Sequence, residues 1–259
     1  MLEYILLNRE QLFHPGIFFF SGIFYAIISA ILAVILFPSN PSITHILLTT
    51  IAVAPLLFEA VSFGARAIDE RPESTVNIQI WLLMLYSAYL FGAILGFQMV
   101  YTFFPEPGRS LLMMEQSREL SYIEGVRVQL SGMMTKSQAF NVIITNNLTV
   151  YLVAILLSFL YGTGGVLLLN WNASIISALF YQKFSAGSFT AVLSSILGIL
   201  PHATFEFLGY FIGGITGIYL GVAIIQEGWS KRLLRDVIIL FLLGIGSIAL
   251  GALLEAGYF

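Results

Sequence analysis

Residues 201–221 read PHATFEFLGYFIGGITGIYLG, from Pro201 to Gly221. Two ionisable side chains, His202 and Glu206, stand in an apolar run long enough to cross a bilayer. An ionisable group at membrane depth costs about 3 kcal/mol on insertion scales unless it is paired or hydrated, so the pair defines a candidate site. At about 100° per residue, His202, Glu206, Gly209 and Gly213 fall within roughly 60° of one helix face. Gly217 and Gly221 continue that stripe. Small residues at four-residue spacing let a second helix approach closely, so the polar pair is expected to point into a helix bundle rather than at lipid.

Composition agrees with this reading. The 259 residues are 58% hydrophobic and only 10% charged, with a mean hydropathy of +0.92; soluble domains carry about a quarter charged residues. The expected fold class is therefore an all-α polytopic membrane helix bundle. A net charge of -3 offers no basic field for nucleic acid. Zero cysteines exclude disulfides, thiol catalysis and Cys-ligated metals. Met1 to Pro15 lacks the basic stretch and small-residue cleavage site of a signal peptide, so the first span is expected to be retained as an anchor.

A spanning helix needs about 20 mainly apolar residues. The candidates in chain order are Gly16–Phe37, Ile43–Phe63, Gln79–Phe104, Ile143–Tyr161, a shorter Val166–Tyr181, Pro201–Gln226 and Val237–Ala256. Gly64 to Asn77 reads as a charged connection. The stretch 105–140 carries both charge signs, with Leu120, Ile123, Val126, Leu130 and Met133 at helical spacing; this is the pattern of an amphipathic helix, in the interface or docked on the bundle. Phe189–Leu200 is apolar but half a span long, and Pro201 suits the first turn of a new helix. It is expected to be a re-entrant or short packed helix. Seven spans result. The Lys and Arg distribution outside the long loop places the N-terminus in the cytoplasm of a cell-membrane protein.

Asn146-Asn147, the turn Gly162-Thr163-Gly164-Gly165, Asn170 and Pro201-His202…Glu206 occur in an order and spacing that resembles the stage II sporulation protein M family. The likeness covers about 79–259 and is strongest over 140–225, leaving 1–78 as two additional N-terminal transmembrane helices. Ala203 stands where the family usually has glycine, and Asn170-Trp171-Asn172 replaces the commoner Asn-Gly. The resemblance implies a membrane domain acting as a scaffold for envelope proteins, and brings no cofactor.

Each candidate residue has two readings. His202 and Glu206, at i and i+4, can touch: as a structural clasp with Asn146, Asn147 or Asn170, or as a proton-relay, cation or polar-substrate site. Asn146 and Asn147 lie about 100° apart on a helix, so one faces inward and the other flanks it; they serve as a helix cap with interhelical bonds, or as partners of the His/Glu pair. Glu59 either pairs with Arg66 near the interface or adds an acidic group to a conduction path. Gly209, Gly213, Gly217 and Gly221 are packing positions, inside the chain or across a homodimer. No His-Glu-x-x-His and no Gly-x-Ser-x-Gly is present, so neither a metal nor catalytic residues are expected. The function read from sequence is a membrane scaffold or accessory subunit of an envelope complex with membrane partners. A transporter or permease using the same cluster is the alternative.

Overall fold

In a computed structural model, residues 13–70, 75–131, 135–162, 164–187, 189–225 and 231–257 are described. These residues form helices and short turns, with no strand among them. The helices are α1 Pro15–Leu36, α2 Pro41–Glu70, α3 Thr75–Phe103, α4 Gly108–Leu112, α5 Met114–Ser131, α6 Lys136–Tyr161, α7 Val166–Ser185, α8 Phe189–Ile225 and α9 Lys231–Glu255. Six of them are long and apolar enough to cross a membrane: α1, α2, α3, α6, α8 and α9. The polytopic bundle expected from composition is what the chain forms.

The ends of these helices follow local chemistry. Pro15 opens α1 with its fixed φ, and the His14 ring accepts a hydrogen bond from the Gly16 amide at 3.1 Å. Thr135 and Gln138 form a capping box at the start of α6. At the end of α6, Gly162 takes φ 72°, a conformation that strains any residue with a Cβ. The Phe58 ring would also lie 2.9 Å from such a Cβ.

Two pairs of parallel helices organise the bundle. In α1 and α3, Phe19 faces Gly92, while Ile23 and Ala26 face Gly96. In α6 and α8, Tyr151 faces Gly213, Ile155 and Ser158 face Gly217, and Phe159 faces Gly221. The intervening helix of each triplet, α2 or α7, runs the opposite way. Gly162 at the end of α6 meets Phe58 in the second half of α2, whereas Ser42 at the start of α2 meets Gln116 of α5. The triplet α6–α8 is therefore inverted with respect to α1–α3, and α9 packs antiparallel on α8. Although too polar to count among the six apolar helices, α7 also runs the length of the bundle. Its start lies by Ser158, its middle bonds to α2 and α3, and Tyr181 near its end lies under Arg109 of α4.

Three expectations are corrected. Phe189–Leu200 is not a separate half-span: α8 is one helix of 37 residues that passes through Pro201. Pro201 lacks the N–H that would bond the Leu197 carbonyl, and the helix continues with that one backbone bond missing, as proline-containing membrane helices do. Likewise, the connection 64–77 is largely helical, since α2 continues to Glu70 and α3 begins at Thr75; charges are compatible with helix once it has left the hydrocarbon. Finally, Asn146 and Asn147 do not cap a helix, because α6 starts at Lys136. The expected amphipathic helix in 105–140 corresponds to α5. Gln116 is buried, Leu120 half-buried and Ile123 exposed, so it docks by its first turns; Val126, Leu130 and Met133 lie outside the described side chains.

Candidate functional site

The Pro201–Gly221 stripe does face a helix interface, and that interface lies within the chain. An added Cβ at Gly209 would meet Ile248 of α9 at 2.6 Å, and one at Gly213 would meet the Tyr151 ring of α6 at 2.9 Å. At Gly217 it would run into the Ile155 carbonyl, while at Gly221 the nearest atom, the Phe159 carbonyl oxygen, is 3.4 Å away. The stripe thus tightens at Gly217 and loosens at Gly221. Bare backbone at these positions lets α6, α8 and α9 approach closely enough for their polar side chains to meet.

Where they meet, Asn147 Nδ2 of α6 donates to Glu206 Oε1 of α8 at 2.7 Å. The Asn147 carbonyl oxygen in turn accepts from the Tyr210 hydroxyl at 3.1 Å and from Asn146 Nδ2 at 3.2 Å. Asn147 and Tyr210 are buried, Glu206 is half-buried and Asn146 is exposed. The carboxyl of Glu255, at the C-terminal end of α9, lies close enough to Glu206 to interact electrostatically with it. Close by, Gly251 of α9 fits against Glu206 Cγ and the His202 carbonyl, at 2.8 and 3.2 Å from the position a Cβ would take. His202 is half-buried one turn before Glu206, at the end of the bundle where Lys136 of α6 binds the Gly257 carbonyl.

Asn170 does not join this cluster. It is fully buried on α7, where its carbonyl oxygen accepts from the Tyr89 hydroxyl at 2.6 Å and its amide donates to Thr50 Oγ1 at 2.9 Å. One turn further, Ser174 accepts from Gln116, which itself accepts from Ser42 at 2.8 Å. These bonds tie α2, α3, α5 and α7 together. His45 of α2 is also fully buried, against the Phe97 ring, with Nε2 on the Ala26 carbonyl at 2.7 Å. Glu59 is exposed on α2, away from the Asn147–Glu206 and Asn170 bonds.

The residues that sequence reasoning missed differ in how visible they were. Tyr210 is four residues beyond Glu206 on the same face, so helical spacing would have found it. Glu255, Tyr89 and Thr50 carry no such signal; they join their networks only through helix packing. Among the described residues, no group of three His, Cys, Asp or Glu side chains could hold a metal ion.

A family model for stage II sporulation protein M matches residues 16–258. The match thus begins at α1, ahead of the 79–259 stretch in which the resemblance was read. No curated protein and no solved structure matches the chain.

Proposed function

The chain belongs to the stage II sporulation protein M family, and from that premise we propose that it is a non-enzymatic membrane scaffold or accessory subunit of an envelope complex. It would sit in the cell membrane with its N-terminus in the cytoplasm and dock membrane or envelope proteins. The observation that carries the proposal is the bond between Asn147 and Glu206, braced by Tyr210 on the same amide. A clasp joining neighbouring helices of one chain stabilises a rigid platform. It needs no turnover, no cofactor and no moving ligand.

The transporter reading keeps one specific support. Inverted helix triplets with polar groups between them are a common transporter plan, and the ionisable Glu206 stands between such helices near the exposed end of α9. One substitution separates the two readings. Glu206→Gln keeps an acceptor for Asn147 and removes the titratable proton. For a scaffold, the variant purifies at near wild-type yield, recovers the same co-purified membrane proteins, and supports the same proton leak in proteoliposomes as the wild type. A folded variant that has lost a pH-dependent flux shown by the wild type refutes the scaffold.

A further inference from the structure

A second set of buried polar atoms lies at the opposite end of the bundle, and neither reading uses it. The Tyr86 hydroxyl of α3, the Tyr219 hydroxyl of α8 and Oδ2 of Asp236 on α9 are buried with no hydrogen-bond partner among the described residues. Their residues are 1%, 0% and 2% exposed. Burying a polar atom without a partner is costly, and in native proteins such atoms mark strain, function, or a bound water or ion.

Three observations place the atoms in one region. The antiparallel register that sets Gly209 against Ile248 and Glu206 against Gly251 brings Tyr219 level with the first turns of α9, where Asp236 stands. Tyr219 is within electrostatic range of both Asp236 and Tyr86. Tyr86 packs its ring on Phe211 at 5.7 Å, and a Cβ at Gly214 would lie 3.6 Å from its hydroxyl and 3.9 Å from Ser158 Oγ. Ser158 is itself a wall of a cavity of about 310 Å³ between α2, α6 and α8, lined also by Phe58, Tyr161, Ile218 and Gly221. Ser158 Oγ and the Tyr86 hydroxyl thus border the same glycine, which sets the Tyr86 end of the group beside this cavity.

The donor set selects the ligand. Phenol and carboxylate oxygens are hard ligands, suited to alkali and alkaline-earth ions rather than to soft metals. A single carboxylate falls short of the several acidic ligands of a tight divalent site. Arg235 already engages Oδ1 of Asp236, at 3.1 and 3.0 Å, with a side chain 62% exposed. Its charge lowers the attraction of the carboxylate for any cation, so binding is weak and needs salt at physiological levels.

We propose that Tyr86, Tyr219 and Asp236 form a buried site for a small monovalent cation. The test uses the full chain in detergent and follows thermal unfolding in choline chloride, then with NaCl, LiCl or KCl substituted at constant ionic strength. Sodium or lithium is expected to raise Tm by a few degrees in a saturable manner, since a ligand that binds only the folded state stabilises it by mass action. Asp236→Asn abolishes the increment, and Tyr219→Phe shifts the saturation to higher concentration. If Asp236→Asn does not fold, Tyr86→Phe and Tyr219→Phe carry the test. Equal Tm values in all four salts, the outcome for ordered water alone, overturn the proposal. So does an increment that survives Asp236→Asn, or one lost in Glu206→Gln instead, which would move the site to the other end.

Discussion

The α1·α3 contact and the α6·α8·α9 contact use the same device and differ in what it supports. Both rest on glycines that bring parallel helices together. In the first, backbone meets backbone: a Cβ at Gly92 would run into the Phe19 carbonyl, and one at Gly22 would sit 2.5 Å from the Ala93 amide. The polar links reach this pair from other helices, His45 of α2 on the Ala26 carbonyl and Ser177 of α7 on the Ile94 carbonyl at 2.9 Å. In the second, close approach is followed by side-chain bonds: Asn147 to Glu206, the Tyr151 hydroxyl to the Phe241 carbonyl at 2.9 Å, and Ser247 to the Phe205 carbonyl at 2.6 Å. Lipid tails are as apolar as leucine, so helices in a membrane associate by packing and interhelical hydrogen bonds. One half of this chain relies mainly on the former and the other uses both.

This contrast can be broken most sharply at Gly92. Gly92→Leu must push α1 and α3 apart, and is expected to exceed the ~1–3 kcal/mol usual for overpacking; the readout is loss of monodisperse protein in detergent. Gly221→Ala is the control. Its new methyl would find ordinary contact distance, so unfolding stability stays within about 0.5 kcal/mol of wild type, helped by alanine's better helix propensity. If Gly92→Leu folds normally, the close contact of α1 and α3 is not a requirement.

The next effect is smaller and lies in the polar half. Asn147→Ala leaves both Glu206 and Tyr210 short of a partner, so unfolding should show a loss of about 1–3 kcal/mol, above the ~0.6 kcal/mol average for one interhelical membrane bond. Asn170→Ala removes the partner of Tyr89 and Thr50 and should cost a similar amount. A double variant should lose the sum, because the two networks sit on different helix sets; strong coupling would show that they act as one unit.

The smallest effect lies outside the membrane, at the turn into α4. The Ser110 hydroxyl, then Arg109, hold the Glu106 carboxyl below the usual carboxylate range. A lowered value in the folded state adds stability above the unfolded value, and that stability is lost as pH falls through the folded one. Glu106→Gln should therefore lower Tm slightly at neutral pH, leave it unchanged in strong acid, and so flatten the acid limb of a Tm-against-pH curve. A shift comparable to that of Asn147→Ala would contradict the ranking.

Much of this architecture was legible because membranes impose strong rules. Apolar length located six of the long helices, and the His202/Glu206/glycine face pointed to the right interface. Asn147 and Glu206 could be named, since polar groups in apolar helices need partners. The continuity of α8 was not legible, because proline reads as a boundary in water while a membrane helix can run on with one backbone bond missing. Asn170 was assigned to the wrong company for a related reason: a polar residue advertises a need for a partner, not which helix supplies it.

By itself, the sequence determined that this is a multi-pass helical membrane protein of the sporulation protein M family, with a costly polar pair on a glycine-lined helix. Hydropathy and helical period are local properties, so they survive in one dimension. Only the tertiary structure decided that Glu206 answers to Asn147 and Glu255, and that Asn170 answers to Tyr89 and Thr50. It also placed the Tyr86 and Tyr219 hydroxyls and Oδ2 of Asp236 at the far end with no hydrogen-bond partner among the described residues. Those pairings depend on which helices lie side by side and in what register, which is set by the packing of the whole chain.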